Sequence, residues 1–117
     1  MFGPDGFGRI MGPDGEITGL GGAKVAIIAR WTITRSGVYP DGRPKLRFRA
    51  WFSWQQPMLM KMCQNGTIKG RVRVYINSPS KGKEQIDIVE WDQWKVNDDG
   101  MLELENISAF DTAPLRS

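Results

Sequence analysis

The sequence predicts an all-β fold: one five-stranded Greek-key barrel, partly open, with a single short helix. Three observations predict it. Apolar and polar residues alternate with a period of two along three long segments. Strong turn signals separate those segments. One stretch, residues 57–64, breaks the alternation with straight-chain helix formers behind a proline. A small antiparallel set of strands must close or be covered to protect its edges, and such a barrel does so.

The elements follow in order. Residues 24–34 place Val25, Ile27, Ala29, Trp31 and Ile33 on one side of a strand. Residues 45–54 place Leu46, Phe48, Ala50, Phe52 and Trp54 on a core face, with Lys45, Arg47, Arg49, Trp51 and Ser53 on the other. The helix 57–64 comes next and Asn65-Gly66 stops it. Residues 67–76 turn Ile68, Gly70, Val72, Val74 and Ile76 inward and Thr67, Lys69, Arg71, Arg73 and Tyr75 outward. Strands over 85–96 and 101–104 complete the set. The turns between are marked by Pro-Asp-Gly, which occurs at 4–6, 13–15 and 40–42, by 78–82 and by Asp98-Asp99-Gly100.

A chain of 117 residues fits one domain. We place it at 1–106, with 107–117 as a short C-terminal tail. Composition excludes several functions. Without histidine there is no Ser-His-Asp or Cys-His catalyst and no imidazole metal ligand. One cysteine, Cys63, permits neither an intrachain disulfide nor a CxxC zinc site, and reads as a small buried hydrophobe. The acidic residues Asp87, Glu90, Asp92, Asp98 and Asp99 match no EF-hand spacing and read as a charge-balancing face. No enzyme activity and no cofactor are expected. The longest apolar run is about five residues, where a membrane span needs roughly 20. The first residues lack the basic and apolar regions of a signal peptide. The expectation is a cytoplasmic protein.

The net charge of +3 conceals segregation. Residues 1–23 sum to −2, residues 24–83 to +12 with Asp41 the lone acid, and residues 84–117 to −7. A basic stretch of that density is a footprint for a polyanion, or else a solvated surface offset by an acidic end. The phase of the aromatics favours the polyanion. Arg47 and Arg49 run into Trp51 on one outward face, and Lys69, Arg71 and Arg73 run into Tyr75 on another. Aromatics beside cations hold single strands by stacking and phosphate neutralisation, whereas a duplex hides its base faces. Trp31, and Trp91 or Trp94, read as core. Trp54 has the core phase but stands at a strand end. The alternative for Trp51 is a protein interface.

The order of these features resembles the bacterial single-stranded DNA-binding protein family, whose domain is an oligonucleotide-binding (OB) fold. The resemblance runs through Gly8-Arg9-Ile10, Asp14-Gly15-Glu16, Gly22, Val25-Ala26, the aromatic-rich Phe48 to Gln55, the helix 57–64, Asn65-Gly66 and Gly70-Arg71-Val72. It implies that Trp51 or Trp54 fills a stacking position, that Tyr75 lies near another, and that the chain forms a homodimer or homotetramer. The family's acidic tail with its Pro-Phe tip has no counterpart in 107–117, which would suit a minimal phage- or plasmid-type version. The expected function is binding and protection of single-stranded DNA in replication or recombination. The expected contacts are Arg47, Arg49, Trp51, Lys69, Arg71, Arg73 and Tyr75, with Arg30, Arg35 and Trp54 behind them. Two alternatives stand beside it: an RNA-binding, cold-shock-like domain, and a protein–protein module such as a viral inhibitor or assembly factor, in which Trp51 and its arginines form a hot spot.

Overall fold

Proline and glycine decide where the first strands break. A computed structural model of the chain describes residues 9–78, 82–88 and 90–107. Within it β1 (Arg9–Gly12) and β2 (Asp14–Thr18) flank Pro13, which cannot donate to a ladder. Both strands pair with the long β3 (Lys24–Val38), β1 with its second half and β2 with its first. A turn at 39–43 leads into β4 (Pro44–Gln55), which runs back along β3. In that turn the Gly42 N–H donates to the Tyr39 carbonyl at 2.9 Å, and Gly42 takes φ +91°, as the Pro-Asp-Gly signal predicts. Helix α1 (Pro57–Gln64) occupies the predicted residues. It begins on a proline that needs no N–H partner and ends before Gly66, whose φ is +75°.

The remaining strands are β5 (Arg71–Ser78), β6 (Gly82–Ile88), β7 (Gln93–Val96) and β8 (Leu102–Glu105). All pairings are antiparallel, in the order β6-β5-β2-β3-β4-β8-β7, with β1 also on β3. The fold is therefore all-β, as predicted, but among the described residues it has eight strands in one sheet rather than five. Among the described residues the two ends of the path, β6 and β7, are not paired with each other.

Each difference from the predicted five strands has a local cause. The segment 67–76 begins late, because the Thr67 and Ile68 N–H groups bond back to the Met62 carbonyl and only Arg71 onward is free to enter the ladder. The segment 85–96 divides, because β5 ends its pairing at Val72 opposite Ile88. Among the described residues no strand pairing with β5 continues past Ile88, and Gln93–Val96 pairs with β8 instead. β1 and β2 are additional strands. The tail beyond residue 107 and the opening residues, including Gly8, lie outside the described residues.

One hydrophobic cluster serves the whole sheet. Trp31 and Phe48 stack at 6.4 Å between ring centroids, surrounded by Ile17, Ile28, Ile33, Val72, Val74, Ile86, Ile88, Leu102 and Leu104. Met60 and Cys63 add the buried side of α1, while Met58 is exposed. Trp94 is buried and Trp91 half-buried, with ring centroids 5.4 Å apart. These are the core roles expected of Trp31 and of that pair. No helix among the described residues is long and apolar enough to cross a membrane.

Candidate nucleic-acid interface

Simple alternation misplaces one part of β3, and the reason builds the candidate site. The β3–β4 register shifts between Ile27 and Ile28, where β4 carries the extra residue Ser53, and again between Ile28 and Arg30, where β3 carries the extra residue Ala29. A bulged residue resets which side its neighbours face. The two bulges compensate, so Trp31 and Ile33 stay buried as predicted. Between the bulges the phase is reversed. Ile28 is buried, whereas Ile27 and Ala29, predicted on its opposite, inner face, are exposed. A further shift at Ile17/Thr18 leaves Val25 and Ala26 both buried.

The same device turns Trp54 out of the core. Its cross-strand partner is Ile27, and both are exposed, at 42% and 37%. The next outward pair is Trp51 with Arg30. The Arg30 guanidinium carbon lies 4.2 Å from the centroid of the Trp51 ring, a cation–π contact that holds the half-buried indole in place. Two tryptophans thus occupy successive outward positions of β4, where alternation assigns the outer face to Trp51 alone.

The registers extend these positions into rows. Trp54 pairs with Ile27, Ile27 with Glu16 of β2, and Glu16 with Arg73 of β5. Asp14 of β2 pairs with Tyr75, and Thr18 of β2 stands between Lys24 and Arg71. The outer face therefore carries an aromatic stripe on β4, an acidic stripe on β2 and a basic-aromatic stripe on β5. The predicted contacts on β4 and those on β5 form two groups about 14 Å apart at the usual strand spacing, with β2 and β3 between them and Arg30 and Arg35 on β3. They are not one continuous basic groove.

Three of the expected phosphate ligands already have carboxylate partners. Arg47 Nε donates to Glu105 Oε1 at 2.7 Å, Arg49 Nε to Glu103 Oε2 at 2.8 Å, and Arg73 Nε to Asp87 Oδ1 at 2.8 Å. The bond from Arg49 holds the Glu103 carboxyl below its ordinary range against the opposing effect of desolvation. Desolvation pushes Asp87 up, but hydrogen bonds from Arg73 and Gln85 and the charges of Arg73 and Arg71 outweigh it, and the net shift is downward. The charge segregation along the sequence is thus folded together in space. β8 lies beside β4 and β6 beside β5, each delivering acids to a row of bases.

The other expected contacts divide. Arg71 is exposed on β5, and Lys69 is exposed on the loop after α1 rather than in a strand. Tyr75 is half-buried, with Lys83 Nζ 4.4 Å from its ring centroid. That amine also reaches Asp14 Oδ2 at 3.2 Å. Arg35 is half-buried opposite Leu46, toward the far end of the hairpin from Trp54. The chain matches no family model, no curated protein and no solved structure. What it does has to be argued from this outer face.

Sequence reasoning missed several residues of that face. Ile27 was hidden by the bulges, which small residues such as Ala29 and Ser53 do not announce. Lys24, Asp14, Glu16 and Lys83 acquire their positions through registers between distant strands. At the hairpin tip Tyr39 sits under Arg43 and Lys45, 5.0 and 5.1 Å from its ring centroid, a cluster the Pro-Asp-Gly turn brings together. Away from the face, a cavity of about 550 Å³ opens between the loop after α1 and the loop after β6, lined by Cys63, Lys69, Gly70, Glu90, Trp91 and Asp92 among others.

Proposed function

We propose that this chain binds single-stranded DNA on the outer face of β2, β3, β4 and β5. Its function would be to protect single strands during replication or recombination, without catalysis. Trp51 and Trp54 are the stacking platforms and Tyr75 a third aromatic. Arg30, Lys24, Arg71 and Lys69 are cations available to phosphates. Arg47, Arg49 and Arg73 act first as structural ion pairs, because a phosphate must compete with the carboxylate each already holds. One observation carries the reading: the bulges of β3 and β4 turn Trp54 outward, so that β4 presents it and the half-buried Trp51, under Arg30, at successive outward positions. Stacking on such rings contributes about 1–3 kcal/mol per base and tolerates any sequence.

The same reading includes a finer account of the fold. Counting β1 and β2 as one strand broken at Pro13, the order of three strands, a helix and a hairpin is that of an OB-type Greek-key barrel. β7 and β8 then form an added hairpin on β4. The family resemblance also implies a homodimer or homotetramer in the cytoplasm, which sedimentation would read.

Titration with oligothymidine tests the function. Tryptophan emission should be quenched at low salt and binding should weaken with a log–log salt slope of roughly −0.7 per phosphate contacted. Unquenched emission at low salt would sink the idea. A parallel titration with matched RNA separates the two nucleic acids.

A protein-binding reading is favoured by one observation. Arg47, Arg49 and Arg73 are already paired with carboxylates, while Ile27 and Trp54 stand exposed as a cross-strand apolar pair. Binding of a protein that survives nuclease treatment, with no response to oligonucleotides, would support it.

A further inference from the structure

A face that takes up a polyanion should have no reason to carry carboxylates through its middle. β2 nevertheless presents Asp14 and Glu16 outward, between the two cationic groups. Asp14 is committed to Lys83 at 3.2 Å. Glu16 is held more loosely: its ion pair with Lys24 is long, at 3.8 Å, Arg73 is its cross-strand neighbour, and its side chain is about one-third exposed.

The position of Glu16 is informative. It shares a cross-strand row with Ile27 and Trp54, so two strand spacings, about 9.6 Å, separate the Glu16 and Trp54 backbones. Ile27 lies between them as an exposed apolar floor. A base stacked on Trp54 in the plane of the sheet and reaching over Ile27 would bring one edge toward Glu16. A carboxylate offers two acceptors and no donor. The nucleobase edge that meets it best is one with two parallel N–H donors, which is the Watson–Crick edge of guanine, through its ring N–H and its exocyclic amine. Cytosine and adenine offer one amino group flanked by an acceptor, which the carboxylate repels.

We infer that Glu16 makes the Trp54 position a guanine-preferring subsite within an otherwise sequence-tolerant face. The inference rests on the single-strand reading and adds a base preference to it. The acidic stripe also orients the strand. Phosphates are held away from β2 and base edges face it.

The test compares short oligothymidine strands with the same strands carrying deoxyguanosine at one position, then deoxyinosine there, by fluorescence titration. Deoxyinosine keeps the ring N–H and lacks the exocyclic amine. The expected result is about tenfold tighter binding for the deoxyguanosine strand, the scale of a bidentate contact. Most of that gain should be lost with deoxyinosine and all of it in E16Q, whose oligothymidine affinity should be no weaker than the parent's. The inosine comparison uses the unaltered protein, so it decides the matter even if the variant folds poorly. Oligothymidine binding with no gain from guanine overturns the subsite and leaves the single-strand reading standing. An E16Q variant that binds every strand tighter, with no guanine gain in the parent, shows Glu16 to be a repelling charge and likewise overturns it. Failure of every strand to bind overturns both.

Discussion

The indole N–H of Trp31 donates to the backbone carbonyl of Tyr75 at 3.2 Å, tying the centre of β3 to β5 across the intervening strand. The contact passes beside Gly12, which pairs with Trp31 at the end of β1. A Cβ added there would lie 2.5 Å from Trp31 Nε1 and would collide with the Tyr75 carbonyl as well. Pro13 breaks the strand at the same point, and the indole occupies the space a side chain would fill.

G12A should therefore destabilise the fold by about 2–3 kcal/mol, combining overpacking with loss of the indole hydrogen bond. W31F retains a ring but strands the Tyr75 carbonyl, and should cost about 1–3 kcal/mol. Urea denaturation of both variants checks this. A G12A midpoint equal to that of the parent would show that the indole has room to move.

Trp54 is exposed, so W54A should change stability by less than about 0.5 kcal/mol. In the proposed function it weakens oligothymidine binding by about 1–3 kcal/mol. R47M and R49M should behave in the opposite sense. They leave Glu105 and Glu103 without their partners and lower stability, while the salt slope of binding changes little. Denaturation and titration on the same samples separate these two classes.

Acid should weaken the fold from a definite starting point. Asp87 and Glu103 have carboxyls held below ordinary values of 3.8 and 4.5 by their hydrogen-bonded arginines. The unfolded chain then binds more protons than the folded one in this range. Their contribution is complete above about pH 4.5, declines as pH falls through 4.5 and 3.8, and is exhausted below the folded values. Urea midpoints measured from pH 6 downward should fall in that window, and E103Q should flatten the decline.

Cys63 is buried against the core, and burial pushes its thiol above the ordinary value of 9.0. A disulfide reagent at pH 8 should react slowly with the folded protein and at once in denaturant. Rapid reaction without denaturant would mean that α1 leaves the sheet readily.

Much of this was legible in the residues. The alternation in β4 identifies Leu46, Phe48 and Ala50 as core, and Pro57 with Asn65-Gly66 brackets α1 to the residue. Local signals sufficed because each rests on neighbours in the chain. Trp54 was harder. Its phase points inward, and only the bulges at Ser53 and Ala29, set by pairing between strands, turn it out. The charge pattern was legible as a sum and misleading as a map. Glu103 lies 54 residues from Arg49 and Asp87 14 residues from Arg73, so their pairing depends on topology that composition does not contain.

The pairing of β8 with β4 has a consequence for how the protein is made. Synthesis delivers the +12 segment 24–83 well before Glu103 and Glu105. Until β8 clears the ribosome, any β3–β4 hairpin already formed would have an open hydrogen-bonding edge at 48–50 and arginines without their carboxylate partners, beside ribosomal RNA that is itself a polyanion. Emergence of residues 102–105 would then do two things at once: seal that edge and release the nascent chain from the surface it was made on.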